Sequence, residues 1–259
     1  TLPVRVHLKL ETGTNRQGLR GRELAEAANV LRGAGVEIEG AYTHFADIED
    51  TTDHAFAQQQ LARFEELLGV LAGLGARPPL AHTACSAAAI LFPETRFQLV
   101  RVGIGLYGLW PSKETRVSAA ERGRNRLGLK PVMTWKTRIA QIKDVPVGEY
   151  VGYGRTFRAT RPTRVAVLPV GYADGYPRAL SGAAHVLAGG VRAPVLGRIC
   201  MNMTMVDVTD VIAVAGDEVV LLGRQGDEVI AAEDLARIAG TINYEIVTRA
   251  APGAPRIPV

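Results

Sequence analysis

"FQLVRVGIGLYG", residues 97–108, decides how the first half of this 259-residue chain is read. It opens with the apolar, β-branched character of a buried strand, carries Arg101 on that strand, and places Gly103 and Gly105 just beyond. Three further strand-type segments stand upstream, each followed by a helical one. "VRVHLKL" (4–10) precedes a helix around 21–34 with Leu24, Ala28 and Leu31 on one face. "EIEGAYTHF" (37–45) precedes a longer helix over 53–74 striped by Phe64, Leu67, Leu68 and Leu71. "PPLAHTACS" (78–86) runs into a short Ala-rich helix. This alternation predicts parallel strands with covering helices. A closed (β/α)8 barrel needs eight strands, and four are legible.

In such a fold chemistry gathers where strands end. The first strand leads into "ETGTNRQG" with Arg16, the second into "THFAD" with His44, and the third into "HTACSAA" with Ser86 at a helix start. Each has a plain alternative. His44 can be a hydrogen-bonded structural residue, Ser86 an N-cap, and "VGIG" tight packing. Together, a Ser-started helix beside a Gly-rich loop aims backbone N–H groups and a hydroxyl at one spot, as phosphate sites do. Placed on the last two of four strands, this matches the barrel phosphate site after strands seven and eight. The four strands then form the second half of a (β/α)8 (TIM) barrel.

Beyond "SKETRVSAAERGRNRLG" (112–128), a charged connector or exposed loop, the grammar changes. "PVMTWKTRIAQIKDV", "TRVAVLPVGY", "AHVLAGG", "RAPVLGRICMNMTMVDV" and "GDEVVLLG" are short β-branched runs between Gly and Pro turns. One helix is expected near 231–240, then a last strand, "NYEIVTR". The predicted division is 1–125, α/β, and 126–259, an all-β barrel or sandwich. Cys85 and Cys200 make neither a disulfide framework nor a metal spacing, which points to a reducing cytoplasm and no metal. The net charge of +4 is spread along the chain, not in a nucleic-acid stripe. No apolar run is long enough for a membrane span, and the first residues lack the apolar core of a signal peptide. "GIGLYG" lacks the context of a dinucleotide fingerprint.

In "VGYGRTF" (151–157), Tyr153 stands between two glycines in a β-rich stretch, either as an exposed turn or as a hydroxyl presented to a site. Taken with "HLKLETGTNRQG", "THFAD", "HTACSAA", "RVGIGLYG", "LPVGYADGY", "RAPVLGRICMNMTMVDV" and "INYEIVTR", in that order, the chain resembles the alanine racemases, pyridoxal-phosphate enzymes built from a barrel and a C-terminal β domain. The resemblance implies that Ser86, Gly103 and Ile104 hold the cofactor phosphate and that Arg101 faces the pyridine nitrogen. Arginine does not give up its proton, so that nitrogen stays unprotonated and the cofactor is a weaker electron sink. His44 would lie near the ring and link Arg101 to the catalytic tyrosine. Arg16 would meet the cofactor's phenolic oxygen and the substrate carboxylate, oriented by Lys9, which is carbamylated in some members and has a plain strand lysine as its rival. Tyr153, Tyr172 and Met201 would reach into the partner subunit of a homodimer. There Tyr153 would move the α-proton on one face and a lysine on the other.

Three departures accompany the resemblance. None of Lys9, Lys113, Lys130, Lys136 and Lys143 has the context of the cofactor-linking lysine, so the chain is expected to be a C-terminal portion that needs an N-terminal barrel segment and is inactive alone. Asn202 follows Met201 where many members have Asp, and Pro252 stands where many carry a phosphate-contacting tyrosine. The alternatives are a racemase of another amino acid, a decarboxylase of the same barrel family, for which no acid-plus-cysteine segment is found, or a non-catalytic fragment or assembly module.

Overall fold

Three short parallel strands organise the first of two units into which the chain divides, Thr1–Pro131 and Val132–Val259; the computed structural model describes residues 4–124 and 127–258. β1 (Arg5–Lys9), β2 (Glu37–Tyr42) and β3 (Leu80–His82) lie side by side in that order. α1 (Gly21–Gly33) and α2 (Ala55–Gly73) are the crossovers that parallel pairing requires. Leu24 and Ala28 of α1 and Phe64, Leu68 and Leu71 of α2 join Leu8, Leu10 and Ala41 in one buried cluster. Each large side chain there contributes roughly 1.5–3 kcal/mol.

Among the described residues no barrel closes, and the fourth expected strand does not form. Residues 97–103 run beside β3 through two backbone bonds, Gln98 N–H to Ala81 O (3.2 Å) and Arg101 N–H to Ala84 O (2.9 Å). Phe97 breaks the extension: its φ of 48° is rare for a bulky residue, and its ring packs edge-on against Phe64 at 5.5 Å. Ile104–Tyr107 then turns as a 3-10 helix.

The helix α3 (Ser86–Leu91) follows β3. The stretch expected as a connector or loop at 112–128 contains a further helix, α4 (Lys113–Glu121). Ser112 Oγ caps it, accepting from Thr115 N–H at 2.9 Å, and Thr115, Ser118 and Ala119 are buried at helical spacing. The expected boundary at 125/126 falls on Asn125 and Arg126, which lie outside the described residues.

The second unit is built on antiparallel pairing. Its strands are β4 (Trp135–Arg138), β5 (Gln141–Val145), β6 (Tyr150–Val151), β7 (Phe157–Arg158), β8 (Thr163–Leu168), β9 (His185–Ala188), β10 (Val191–Leu196), β11 (Thr204–Asp207), β12 (Glu218–Gln225) and β13 (Glu228–Ile230). Eight of them form one sheet in the order β13-β12-β9-β10-β11-β8-β5, with β4 on β12, while β6 and β7 make a separate ribbon. Two helices close the chain, α5 (Ala232–Ala239) and α6 (Asn243–Arg249). The second replaces the expected last strand. "NYEIVTR" is β-branched, but Asn243, Ile246 and Val247 are its buried positions, with Ala250 buried just after it, a helical spacing. No helix among the described residues is long and apolar enough to cross a membrane.

Candidate active site

In the first unit the expected residues converge on the C-terminal edge of the parallel sheet. Lys9 ends β1, pairs with Tyr42 at the end of β2, and Tyr42 pairs with His82 at the end of β3, so the three side chains share one row. Tyr42 stacks flat on His82 (centroids 5.0 Å apart, planes 2° apart), and the Arg101 guanidinium carbon lies 5.3 Å from the Tyr42 ring centre.

Arg101 is held from several sides. Its Nη1 donates to His82 Nδ1 (2.5 Å) and His82 O (3.1 Å). Its Nη2 donates to Thr43 O (2.8 Å) and Thr83 O (3.3 Å), with His44 Nδ1 at 3.4 Å. No carboxylate is among these partners, and Nε has none among the described residues. Arginine only donates, so His82 Nδ1 accepts and its proton sits on Nε2. That N–H donates to His7 Nδ1 (2.8 Å), and His7 Nε2–H then points at Glu39 Oε2 (3.2 Å). Burial first, then Arg101 and His7, pull the His82 pKa down to about 4, which keeps the ring neutral.

His44 and Lys9 feel the same cationic field. Burial lowers the His44 pKa, with Arg101, Arg16 and Lys9 adding to it. Burial also lowers that of Lys9, helped by Arg16 and opposed by Glu11. The His44 loop is held by the fully buried Gln60: Oε1 accepts from Ala46 N–H (2.8 Å), and Nε2 donates to Thr12 Oγ1 and His44 O (both 3.2 Å). Thr14 Oγ1 donates to His44 O at 2.6 Å. Arg16 lies on the exposed turn after β1 and makes no hydrogen bond among the described residues.

Ser86 does not cap α3. Cys85 holds the cap position with extended backbone and no side-chain cap bond. Ser86 Oγ accepts instead from Gly103 N–H (3.1 Å) and Gly105 N–H (3.2 Å), drawing the Gly-rich loop onto the helix start, with Ile104 buried between them. A Cβ added to Gly103 would meet nothing within 4 Å, so the space above this loop is open.

In the second unit Tyr153 begins a short 3-10 turn, Tyr153–Arg155, at the tip of the β6–β7 ribbon, and is 71% exposed. Both flanking glycines have positive φ, 75° at Gly152 and 73° at Gly154. They also lie against the residues around β10 and β11: a Cβ on Gly152 would come 2.9 Å from Met205 Cε, and one on Gly154 would come 2.9 Å from Arg198 Nη1. Only glycine suits both the dihedral and the approach. The segments that carry Tyr172 and Met201 meet through backbone, with Tyr172 N–H donating to Cys200 O (3.0 Å) and Ala173 N–H to Met201 O (2.9 Å). Gly171 permits this contact, because a Cβ there would stand 2.2 Å from Cys200 O.

Sequence reasoning missed His82, Tyr42, His7, Glu39, Gln60 and Arg198. His82 stood inside a quoted motif, and its place as the last residue of a strand was the available signal. The partnership of His7 with Glu39 and His82 depends on a register shift between Val6 and His7, for which no sequence signal exists.

Sequence models of two family domains match the chain: "Alanine racemase, N-terminal domain" over residues 1–111 and "Alanine racemase, C-terminal domain" over 132–258. An alanine racemase of Leptospira interrogans is 43% identical over 256 residues, covering 98% of this chain and 66% of the relative. One of Halothermothrix orenii is 44% identical, covering 97% and 65%. The chain thus spans about two thirds of the length of the curated relatives it matches. Among solved structures, the alanine racemase of Streptomyces coelicolor superposes with a TM-score of 0.89 at 37% identity, over 99% of this chain and 67% of that one. The Bacillus anthracis alanine racemase with bound L-Ala-P gives 0.88 at 38%, over 95% and 62%. Sequence of both family domains is therefore present, so the expectation of a C-terminal portion alone gains no support.

Proposed function

The chain belongs to the alanine racemase family, and from that premise we propose that the protein interconverts L- and D-alanine with pyridoxal phosphate, using two proton-moving groups on opposite faces of the substrate. The observation that carries this reading is Arg101, immobilised by neutral partners and retaining an unpartnered Nε. Facing a pyridine nitrogen, a group that cannot release its proton leaves that nitrogen an acceptor. The residues fit the cofactor in two further respects. The open space above Gly103, beside the Ser86 hydroxyl and the turn at Ile104, suits a phosphate, and Arg16, oriented by Lys9, is a cation suited to the cofactor's phenolic oxygen and the substrate carboxylate.

Bound there, pyridoxal phosphate supplies a conjugated ring that withdraws electrons from the substrate Cα and acidifies its hydrogen. The Tyr153 hydroxyl takes or returns that proton on one face. Its exposure at the ribbon tip supports its use by the partner subunit of a homodimer with shared sites. Tyr172 and Met201, on segments joined by backbone bonds, line the approach. Arg16 holds the carboxylate, Lys9 orients Arg16, and His44 sits between Arg101 and the phenol. A lysine serves the opposite face, and none of the five in these 259 residues has the context expected of it. On this account the 259 residues alone do not turn over, and borohydride does not fix the cofactor to them. The free thiols Cys85 and Cys200 are consistent with the cytoplasm.

In the full-length protein Tyr153→Phe should lower kcat/KM by about 100-fold or more, equally for both enantiomers because their equilibrium constant is one. Unchanged turnover would remove Tyr153 from the reaction. Alanine should show the highest kcat/KM among alanine, serine and lysine; a higher value for another would reassign the substrate.

A further inference from the structure

We propose that Arg198 is the positioning residue for Tyr153: its guanidinium lies flat on Gly154 and fixes the turn from which the phenol projects. The inference rests on the reading of Tyr153 as a proton-moving group. The Cβ position of Gly154 is 2.9 Å from Arg198 Nη1, 3.0 Å from Cζ and 3.4 Å from Nε. Three such similar distances to three atoms of one planar group mean that its face, not its edge, covers the Gly154 Cα. The neighbouring contacts continue the clamp. The Cβ position of Gly152 is 3.6 Å from Arg198 N and 3.7 Å from Arg198 O, and that of Gly197 is 2.5 Å from Val151 O. Residues 197–198 thus press on the ribbon on both sides of Tyr153.

What makes this more than packing is what Arg198 lacks. Its side chain is exposed and makes no hydrogen bond or ion pair among the described residues. Neither burial nor a salt bridge accounts for its placement, whereas the turn beneath it needs support: Gly152, Gly154 and Arg155 all have positive φ, and Tyr153 has little cover of its own. A left-handed non-glycine residue such as Arg155, with φ of 50°, persists when its surroundings hold it. Displacing a reacting group by about 1 Å can cost as much as 100-fold in rate.

The test uses the full-length protein with Arg198→Ala, Arg198→Lys and Tyr153→Phe. Arg198→Ala should lower kcat by about 10–100-fold with KM changed less than about threefold. The primary isotope effect on Cα–H removal should rise for one enantiomer only. Amide exchange at residues 152–156 should quicken at least about tenfold while Tm stays within about 2 °C, since the side chain is exposed. Lysine should not restore the rate, because an ammonium cannot lie flat on a backbone. Wild-type kcat and amide exchange in Arg198→Ala, beside a crippled Tyr153→Phe, overturn this proposal alone. A rise in KM with kcat intact reassigns Arg198 to substrate binding, and full rescue by lysine replaces the stacking account with one of charge. An unaffected Tyr153→Phe overturns the underlying reading.

Discussion

Gly40 shows how one absent side chain sets the chemistry of the sheet edge. A Cβ at Gly40 would lie 2.3 Å from His7 Nδ1 and 2.5 Å from His7 Cε1, so the imidazole leans across the bare backbone to reach His82. Gly40→Ala should therefore push His7 away, leave His82 Nε2–H without its acceptor, and cost about 1–3 kcal/mol in a denaturant titration. His82 itself predicts a pH dependence. Its folded pKa, about 4, lies below the ordinary value of 6.5, so the unfolded chain binds more protons between those limits. The stabilisation is fully present above pH 6.5, fades as pH falls through that window, and amounts to at most about 3 kcal/mol. His44 and His54, whose pKa values burial also lowers, add in the same direction. His82→Gln should flatten the fall in stability between pH 6.5 and 4; a profile identical to wild type would mean that the ring is not held neutral.

The elements show what was legible and what was not. The alternation from Val4 to Leu91 announced β1–β3 and α1–α3, because one buried face per element leaves a periodic trace. The trace misled where local character and tertiary burial disagreed. The run Phe97–Val100 looks like a strand, but Phe97 turns into a left-handed conformation to reach Phe64. "NYEIVTR" is β-branched, yet its buried positions follow a helix. Ile246→Ala in α6 should therefore cost about 2–5 kcal/mol, as loss of a buried side chain does. The exposed Thr248→Ala should change stability by less than about 0.5 kcal/mol, and comparable losses at both positions would contradict the helical packing. The helix α4 was hidden by its charge, since its buried side is made of Thr115, Ser118 and Ala119.

For the whole molecule, the candidate residues form two separate groups. Lys9, His44, Ser86, Arg101 and the Gly103–Gly105 loop lie at the edge of the first unit's sheet, while Tyr153, Tyr172 and Met201 lie on adjoining loops of the second. Motifs located members of both groups, but the Arg101–His82–His7–Glu39 chain and the Arg198 clamp arise from contacts between segments distant in sequence. Under the proposed function, a cofactor held by the first group and a phenol supplied by the second would divide racemisation between two kinds of surface. Full-length Tyr153→Phe incubated in D2O with each pure enantiomer tests that division. The account predicts that racemisation collapses while one enantiomer, and only one, continues to exchange its α-hydrogen for deuterium with retained configuration. Racemisation at the wild-type rate, with both enantiomers exchanging alike, would contradict it.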